Sequence, residues 1–383
     1  MSHDNTVFSQ LLKFVPRHEF ETLANQYHCG RSFRTASRWS QFVTLSLGQL
    51  AGRRSLRDVV ENVSAQAHRL YHLGSVKLSR SNLSRINESK PYGLYEALFG
   101  KLLRRCQTTA PRHNFRFKNP LYSLDASTID LCLSVFPWAD FRTTKGGVKL
   151  HVGLNHQGYL PEFVTITEAK CHDVTVGRTL EFPKGSIIAI DKAYNDYAWY
   201  KRLTEKGIFF ITRLKTNAKY RVIERRSVLI AKGLSCDQTI EFTGAHTAKK
   251  CPTQLRRIGY RDSETGKHYV FLTNNFQLAA KTIADIYKAR WQVELFFKWI
   301  KQNLKIKSFI GTSKNAVMTQ LWIALCMYLL LAFIKFQSKL TKSMQQILRL
   351  LQLNLFEKRD LMALLRGDPF RDKLTDPNQM ALL

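Results

Sequence analysis

Acidic residues are scarce in this sequence, and the shortage narrows the class of protein. The 383 residues include 29 aspartates and glutamates against 59 lysines and arginines, a formal net charge of +30. Such an excess is hard to explain for a protein acting on neutral metabolites. It suits a polyanion, whose phosphates release condensed counterions when lysine and arginine neutralise them. A ribosome-associated or simply basic protein is the alternative, but charge and length together favour nucleic acid.

Three further absences exclude other classes. None of the seven cysteines forms a Cys-x-x-Cys pair, so we expect a reducing cytoplasm and no zinc site. The first residues show no signal-peptide pattern. The most apolar run, residues 321–334, is shorter than the roughly 18 apolar residues of a membrane span. It therefore predicts a buried core helix and no membrane partner.

The chain has enough apolar residues to fold, and its patterning changes along its length. Hydrophobic residues make up 44% of it. Residues 1–118 have helical periodicity and end in a basic linker. Within them, residues 78–86 start a short helix with Arg80 and Arg85, similar to the second helix of a helix-turn-helix. An ordinary capped surface helix explains this segment equally well.

From residue 119 the pattern is typical of strands. We predict strands, in a meander and then joined by a helix, at 121–131, 148–154, 163–167, 186–190 and 208–212. This order implies a mixed α/β sheet with helices on both faces. Residues 215–276 are again strand-like and predict a β-rich insertion, and the chain beyond it is helical.

Two aspartates lie at positions where a carboxylate needs an explanation. Asp125 is in the middle of an apolar strand, where a charge is costly unless it is paired or binds a metal. A satisfied hydrogen-bond acceptor is the alternative. Asp191 follows a buried strand and precedes a helix, a common site position in α/β folds. A helix cap would explain it equally well.

A third carboxylate, Glu294, lies in residues 283–301, which we predict to be one long helix. At roughly 100° per residue, Tyr287, Arg290, Glu294 and Lys301 share an arc of about 60°. One face would therefore hold a carboxylate, a phenol and at least two cations. For this helix in isolation, a solvated surface with a routine Arg290–Glu294 pair is the simpler interpretation.

The three carboxylates together fit a two-metal site. Two Mg²⁺ ions take oxygen ligands and can clamp the attacking and leaving oxygens of an in-line phosphoryl displacement. Arg290 and Lys301 would then grip phosphates beside the metals, the arginine by its fork and the lysine as a point charge.

The same residues carry a family resemblance that covers nearly the whole chain. The resemblance is to the Tyr-Arg-Glu-Lys signature of the DDE transposases of bacterial insertion-sequence family four, and it rests on Tyr287-x2-Arg290-x3-Glu294-x6-Lys301. Asp125 in Leu-Asp-Ala-Ser-Thr and Asp191 in Ile-Asp-Lys-Ala-Tyr resemble the first and second catalytic aspartates of that family.

The resemblance implies a fold and a division of the chain. The fold is a ribonuclease-H-like mixed sheet flanked by helices and interrupted by a β-rich insertion, with an N-terminal all-helical domain. The implied domains are a helical DNA-binding domain with its linker (1–118), the first part of the catalytic domain (119–214), the insertion (215–276), and the rest of the catalytic domain with C-terminal helices (277–383).

The resemblance also implies a site and a reaction. The catalytic residues, which would bind two Mg²⁺ ions that Mn²⁺ could replace, are Asp125, Asp191 and Glu294. The DNA-binding residues are Tyr287, Arg290 and Lys301. Water would nick the transposon end, and the freed 3′-hydroxyl would form a hairpin, which is reopened before attack on target DNA. The partners would be double-stranded DNA and a second copy of the chain, in the cytoplasm and close to the nucleoid.

Several weaker candidates remain open. Lys149, His151 and the pair His172–Asp173 could border the metal site, although structural roles fit them better. Trp291 could pack beside the site or in the core. An aromatic residue that stacks on a flipped base is harder to place, and core packing is the better interpretation of the three candidates, Tyr260, Tyr269 and Phe271.

Three other functions compete with an active transposase. A metal-dependent nuclease or resolvase would not need the Tyr-Arg-Glu-Lys set, because it holds no hairpin end. A non-catalytic DNA-binding relative would not need three carboxylates facing phosphate. A basic structural protein of an RNA assembly explains the charge but leaves the carboxylates unexplained.

Overall fold

The computed structural model describes residues 5–142 and 145–369. Its helices are α1 (Val7–Leu12), α2 (Arg17–Gln26), α3 (Arg38–Leu50), α4 (Leu56–Ala65), α5 (Ala67–Leu70), α6 (Arg80–Ser89), α7 (Gly93–Thr109), α8 (Asp173–Gly177), α9 (Tyr197–Glu205), α10 (Ala245–Lys250), α11 (Ala280–Ala289), α12 (Gln292–Asn303), α13 (Lys314–Gln337), α14 (Met344–Asn354) and α15 (Leu361–Arg366). Its strands are β1 (Leu121–Leu131), β2 (Asp140–Arg142), β3 (Lys145–Asn155), β4 (Leu160–Glu168), β5 (Ile187–Ile190), β6 (Phe209–Arg213), β7 (Tyr220–Arg226), β8 (Leu234–Phe242), β9 (Leu255–Arg261) and β10 (His268–Thr273).

The described residues divide into two compact units. One draws on Met1–Ala110 and Trp299–Leu383, and the other is Pro111–Lys298. The first is helical and is built around α13, which packs against α3, α6 and α7. By length and composition α13 could cross a membrane, but 94% of its most apolar window is buried in the protein. The predicted buried core helix is therefore confirmed.

Helix α6 in this unit agrees with both interpretations of residues 78–86. The Ser79 hydroxyl caps it, accepting from the Asn82 N–H at 3.2 Å. Leu83 and Ile86 are buried, whereas Arg80 and Arg85 are exposed. That arrangement suits a groove-binding helix and a plain surface helix alike, so entry into a major groove stays a prediction.

The second unit contains the predicted ribonuclease-H-like sheet. β1, β3 and β4 form an antiparallel meander, β5 pairs parallel with β1, and β6 pairs parallel with β5. The order β4-β3-β1-β5-β6, with helices packed on the sheet, confirms the predicted fold class. The short strand β2 beside β3 was not predicted.

The strands after β6 extend this sheet. β7, β8, β9 and β10 pair antiparallel in sequence, and β10 pairs antiparallel with β6. One ten-stranded sheet results, with the order β2-β3-β1-β5-β6-β10-β9-β8-β7 and β4 on β3. In the hairpin turn between β9 and β10, the Asp262 carboxylate accepts from the Glu264 and Thr265 N–H groups at 3.0 and 2.9 Å.

Each face of the sheet buries its own apolar cluster. On one face Tyr122 and Leu124 of β1 pack with Tyr200 of α9. On the other, Leu121 of β1 packs with Ile283 of α11. This alternation follows from the two-residue period of a strand, and it decides which helix each side chain of β1 faces.

The predicted single helix over 283–301 is wrong, because two helices meet there. α11 ends at Ala289 and α12 begins at Gln292. Between the two helices the backbone hydrogen bonds change from the α-helical i→i−4 pattern to i→i−3. The Val293 and Glu294 N–H groups donate to the Arg290 and Trp291 carbonyls, at 3.1 and 3.0 Å. Periodicity alone does not detect such a break, since the apolar pattern continues across it.

Candidate active site

Asp125 on β1 lies next to Asp191, the residue that directly follows the neighbouring strand β5. The parallel ladder pairs Leu124 of β1 with Ile190 of β5, so the following residue of each strand is an aspartate. Asp125 shares the parity of Leu121, which faces α11. The sheet therefore brings together two carboxylates that are far apart in sequence, on the face covered by α11.

Arg290 joins Asp125 to Glu294. Its Nη1 lies 3.1 Å from Asp125 Oδ2 and its Nη2 lies 2.9 Å from Glu294 Oε1. The arginine side chain is only 9% exposed, so these contacts are shielded from solvent. The Tyr287 ring lies 5.7 Å from the guanidinium carbon. The arrangement is thus more than the routine i, i+4 surface pair, because the same fork holds a carboxylate of the central strand.

Asp125 is only partly neutralised. Burial raises the pKa of its carboxyl to about 6, and the nearby charges of Glu294 and Asp191 contribute to that rise. Arg290 and the Ala126 N–H, which donates at 2.8 Å, act in the opposite direction on this pKa. The site therefore carries more negative charge than its own cations neutralise, which favours a further cation.

Asp191 is held loosely. Its carboxylate accepts from the Ala193 N–H at 3.4 Å and lies 3.7 Å from Arg213 Nη2. Arg213, the last residue of β6, also lies 6.0 Å from the centre of the Tyr287 ring. We did not predict Arg213. The available signal was an arginine at the end of a buried strand, two strands along from β1 in the sheet order.

The remaining residues of the predicted signature lie on two different helices, Tyr287 on α11 and Lys301 on α12. Tyr287 is 8% exposed, and its hydroxyl has no hydrogen-bond partner among residues 5–142 and 145–369. Lys301 lies in the last turn of α12, about two turns beyond Glu294. Trp291 is 55% exposed, so a core role for it is wrong. Leu295, one turn along α12, is 44% exposed.

The weaker candidates separate clearly. Tyr260 and Phe271 are buried in the core under α11, which confirms core packing for these two. Tyr269 is half-buried, and its ring is stacked 5.9 Å from that of Phe271. Val152 of β3 is paired with Asp125, so the two side chains lie on the same face of the sheet. His151 and Lys149 are an odd number of residues from Val152, and because successive side chains of a strand alternate, they lie on the opposite face.

The residue types fit a divalent metal, but their present contacts do not form a metal site. Asp125, Asp191 and Glu294 supply the hard oxygen donors that Mg²⁺ and Mn²⁺ prefer. Within the described part of the chain, no group of three histidines, cysteines, aspartates or glutamates is close enough to hold a metal. Between Asp125 and Glu294 lies the Arg290 guanidinium, a cation that must give up these contacts before a metal can take its place.

The fold and the site together define a class. A ribonuclease-H-like sheet with one carboxylate on a central strand and a second just after the neighbouring strand, a third carboxylate on the covering helix and a strongly basic chain is suited to phosphoryl transfer on nucleic acid.

Comparison with known proteins gives the family. Residues 116–330 match the family described as "Transposase DDE domain", and the chain belongs to it. It is therefore an enzyme that cleaves and transfers DNA strands, DNA is its partner, and divalent-metal dependence comes with the family. Residues 3–76 match a second family, described as "Domain of unknown function (DUF4372)".

Three bacterial relatives are named as transposases. The protein y4zB of Sinorhizobium fredii is 32% identical over 78% of this chain and 85% of its own length. The transposase named for element IS5377 of Geobacillus stearothermophilus is 31% identical over 70% of each chain. The one named for element IS4SA of Synechocystis is 26% identical over 55% of this chain and 60% of its own. A solved piggyBac transposase synaptic complex with hairpin DNA aligns at a TM-score of 0.47 and 10% identity, over 98% of this chain and 83% of that one.

Proposed function

We propose that this transposase binds the terminal inverted repeats of its own insertion sequence and catalyses Mg²⁺-dependent cut-and-paste transposition by in-line phosphoryl transfer. The observation that carries the proposal is the Arg290 bridge between Asp125 and Glu294, beside Asp191. A buried cation that links a strand carboxylate to a helix carboxylate has little purpose in a plain surface helix. It fits a site that exchanges cations and phosphates.

Asp125, Asp191 and Glu294 are the proposed catalytic metal ligands. When bound there, Mg²⁺ would polarise the phosphoryl group and lower the pKa of the attacking hydroxyl or water. The protein's part is to hold three carboxylates in place, two on a rigid sheet and one on the helix that covers it. Burial raises the pKa of the Asp125 carboxyl to about 6, so this carboxyl is still mostly ionised at neutral pH and can bind a cation.

Tyr287, Arg290 and Lys301 are the proposed DNA-holding residues. Arg290 can move its fork from two carboxylates to a phosphate, since both partners offer paired oxygens. Tyr287 is buried against Arg290 and Arg213 and would orient both guanidinium groups. We also propose Trp291 as a DNA contact, because its side chain is exposed and it directly follows Arg290 in the sequence.

The proposed reaction proceeds by a series of in-line displacements at phosphorus. Water attacks first, an O–P bond forms, and the 3′-oxygen leaves and takes up a proton. That 3′-hydroxyl then attacks the opposite strand and closes a hairpin, releasing the flanking DNA. A second water opens the hairpin, and the 3′-hydroxyl finally attacks target DNA. Each proton of an attacking group passes to solvent.

We keep the four-part division of the chain as a proposal: 1–118 for DNA binding, 119–214 and 277–383 for catalysis, and 215–276 as the insertion. The compact helical unit draws on both chain ends, including Trp299–Leu383. Residues of 277–383 beyond α12 would therefore support the DNA-binding helices as well. We also propose a homodimer on paired ends, acting at the bacterial nucleoid.

End cleavage tests the proposal directly. Purified protein with Mg²⁺ should cut a duplex carrying the element's terminal repeat and give a hairpin that runs as a double-length strand on a denaturing gel. Asp191→Asn should bind this duplex and leave it uncut. Asp130→Asn is the matched control, because Asp130 is an exposed residue on the same strand as Asp125.

Two results would contradict the proposal. Equal cleavage of unrelated duplexes would support a plain nuclease. Normal cutting by Asp191→Asn would remove the metal assignment.

A further inference from the structure

One stretch of the helical unit is basic and contains no acidic residue. Residues 22–57 include six arginines and no aspartate or glutamate. Two of these arginines, Arg31 and Arg34, lie in the connection between α2 and α3, residues 27–37, which we call the arginine loop. Both are exposed, and neither forms an ion pair with a residue that the structure describes. The arginine loop therefore presents two positive charges to solvent without a protein counterion.

A buried lysine holds the arginine loop in shape. Lys90, the residue that follows α6, is 9% exposed. Its Nζ donates to the Cys29 and Arg31 carbonyls at 2.5 and 2.9 Å and lies 4.9 Å from the centre of the Phe33 ring. Gly30, between the two carbonyls, has a φ of 66°, a left-handed conformation that glycine adopts without strain. A buried ammonium group is costly unless it is paired, and here the backbone of the loop supplies its partners.

Two further contacts fix the arginine loop against the connection between α6 and α7. Cys29 Sγ lies 3.7 Å from the Ser89 carbonyl oxygen, to which it donates. Arg38, the first residue of α3, is 6% exposed and donates from Nη2 to the Pro91 carbonyl at 2.7 Å. The loop is thus attached near its start and just beyond its end to the same short connection.

Helix α6, against whose carboxyl end the loop is held, is also basic. Arg80 and Arg85 are exposed on it, and its one acidic residue is Glu88. Arg85 lies one turn before Ser89, whose hydroxyl donates to the Arg85 carbonyl at 2.7 Å. Ser89 is the residue that Cys29 contacts. The arginine loop therefore adds its cations beside the end of a helix that already carries two.

We propose that the arginine loop binds the DNA backbone beside α6, with Arg31 and Arg34 on phosphates and Lys90 as the positioning residue that presents them. Duplex DNA fits this surface because phosphates supply the missing counterions and DNA is the partner of this family. The inference rests on the proposed DNA-binding role of residues 1–118. A loop fixed before binding loses less conformational freedom when DNA binds, which strengthens the contact.

The salt dependence of DNA binding tests the phosphate contacts. Each phosphate contact contributes about −0.9 to the slope of log K against log salt concentration. Arg31→Ala and Arg34→Ala should therefore each make the slope less steep by about 0.9, on a terminal-repeat duplex and on an unrelated duplex alike. Full-length protein is titrated into fluorescent duplexes between about 50 and 200 mM NaCl without divalent metal, and anisotropy is measured.

Arg17→Gln is the matched control. It removes the same charge from an exposed arginine of the same unit, but Arg17 is already paired with Glu21 at 2.7 Å. The control variant should keep the wild-type slope on both duplexes.

Lys90→Met tests the positioning role, because it removes the ammonium group and keeps an unbranched side chain. We expect its slope to fall by as much as that of the double variant Arg31→Ala/Arg34→Ala, measured well below its thermal midpoint. Adding Lys90→Met to the double variant should cause no further change, since Lys90 acts through the two arginines. Without DNA, amide hydrogen exchange at residues 29–34 should be about tenfold faster in Lys90→Met than in the wild type.

Three results would overturn the inference. Wild-type slopes in both arginine variants would remove the phosphate contacts. A loss confined to the terminal-repeat duplex would show base readout, because phosphate contacts carry no sequence information. Additive losses from Lys90→Met and the arginine changes would remove the positioning role. A wild-type protein that binds both duplexes and cuts neither with Mg²⁺ would contradict the proposed function instead, and the slopes would still decide the role of the arginine loop.

Discussion

Two aspartates on strands of one sheet have opposite surroundings. Asp237 on β8 accepts from Arg256 on β9 through both oxygens, at 2.9 and 2.6 Å, and a second arginine, Arg226, lies 3.3 Å away. Asp125 on β1 has one arginine contact, at 3.1 Å, from a fork that it shares with Glu294. Arginines of neighbouring strands thus fully neutralise the Asp237 carboxylate. The Asp125 carboxylate shares its single arginine with Glu294 and is only partly neutralised.

The difference separates a structural ion pair from a site. Arg256 also donates to the Asn275 and Leu278 carbonyls, at 3.1 and 2.6 Å, so every part of that pair is fixed by the sheet and its flanking loop. Around Asp125, in contrast, the carboxylates outnumber the arginines that touch them. Asp237, whose arginine partners contact no carboxylate of the site, holds strands together. Asp125, whose arginine also binds Glu294, can accept another cation.

The largest expected effect is on catalysis at Asp125. Asp125→Asn should lower the rate of end cleavage by about 10³-fold or more, because a neutral amide is a poor metal ligand. The thermal midpoint should not fall, since burial already disfavours the charge there. Cleavage assays and calorimetry measure the two effects. A rate within about tenfold of the wild type would contradict the assignment.

At Asp237 the effect should appear in stability instead. Asp237→Asn leaves the Arg256 guanidinium buried without its counterion, and we expect a loss of about 3 kcal/mol in the free energy of unfolding. Urea denaturation measures this loss. End cleavage per folded molecule should stay within about twofold of the wild type. A large loss of cleavage in folded protein would show that Asp237 is part of the site.

Exchanging each arginine for lysine sharpens the same contrast. Arg290→Lys should slow end cleavage about 30-fold, because an ammonium group cannot contact a phosphate or two carboxylates through a fork. Arg256→Lys should lower stability and leave that rate unchanged. Parallel kinetic and urea measurements compare the pair, and equal rate losses in both variants would contradict the distinction.

The smallest effect is a pH dependence. The folded-state pKa of Asp125 is raised from 3.8 to about 6. Its carboxyl therefore contributes stability below pH 3.8 that is lost as pH rises through about 6. Without metal, the stability of the wild type relative to Asp125→Asn should fall as the pH rises across this window. Urea denaturation measures this difference in stability. If the difference does not change with pH, the pKa of the Asp125 carboxyl is not raised in the folded protein.

Local sequence patterns predicted the central strands other than β2 and singled out two aspartates. Segment 121–131 has a strand-like pattern and coincides with β1, of which one face packs under α11 and the other under α9. Asp125 and Asp191 were visible because a carboxylate in or just after an apolar strand is costly. Their adjacency needed the register Leu124–Ile190, which no local pattern carries.

The rest depended on long-range contacts. The Arg290–Asp125 contact joins residues 165 positions apart, and the break between α11 and α12 leaves the apolar period intact. The side of the sheet that Lys149 and His151 face depends on how β3 pairs with β1. Pairing of β10 with β6 also makes the insertion continuous with the central sheet, which strand periodicity cannot reveal.

The order of synthesis has a consequence for the two compact units. Pro111–Lys298 is one uninterrupted stretch, whereas the helical unit needs both Met1–Ala110 and Trp299–Leu383. During synthesis, the catalytic sheet can therefore finish folding before α13 has been made. Until then α3 and α7 lack the helix against which they pack. The first helices to emerge are thus among the last to be completed, and until then their apolar faces depend on chaperones or on transient contacts.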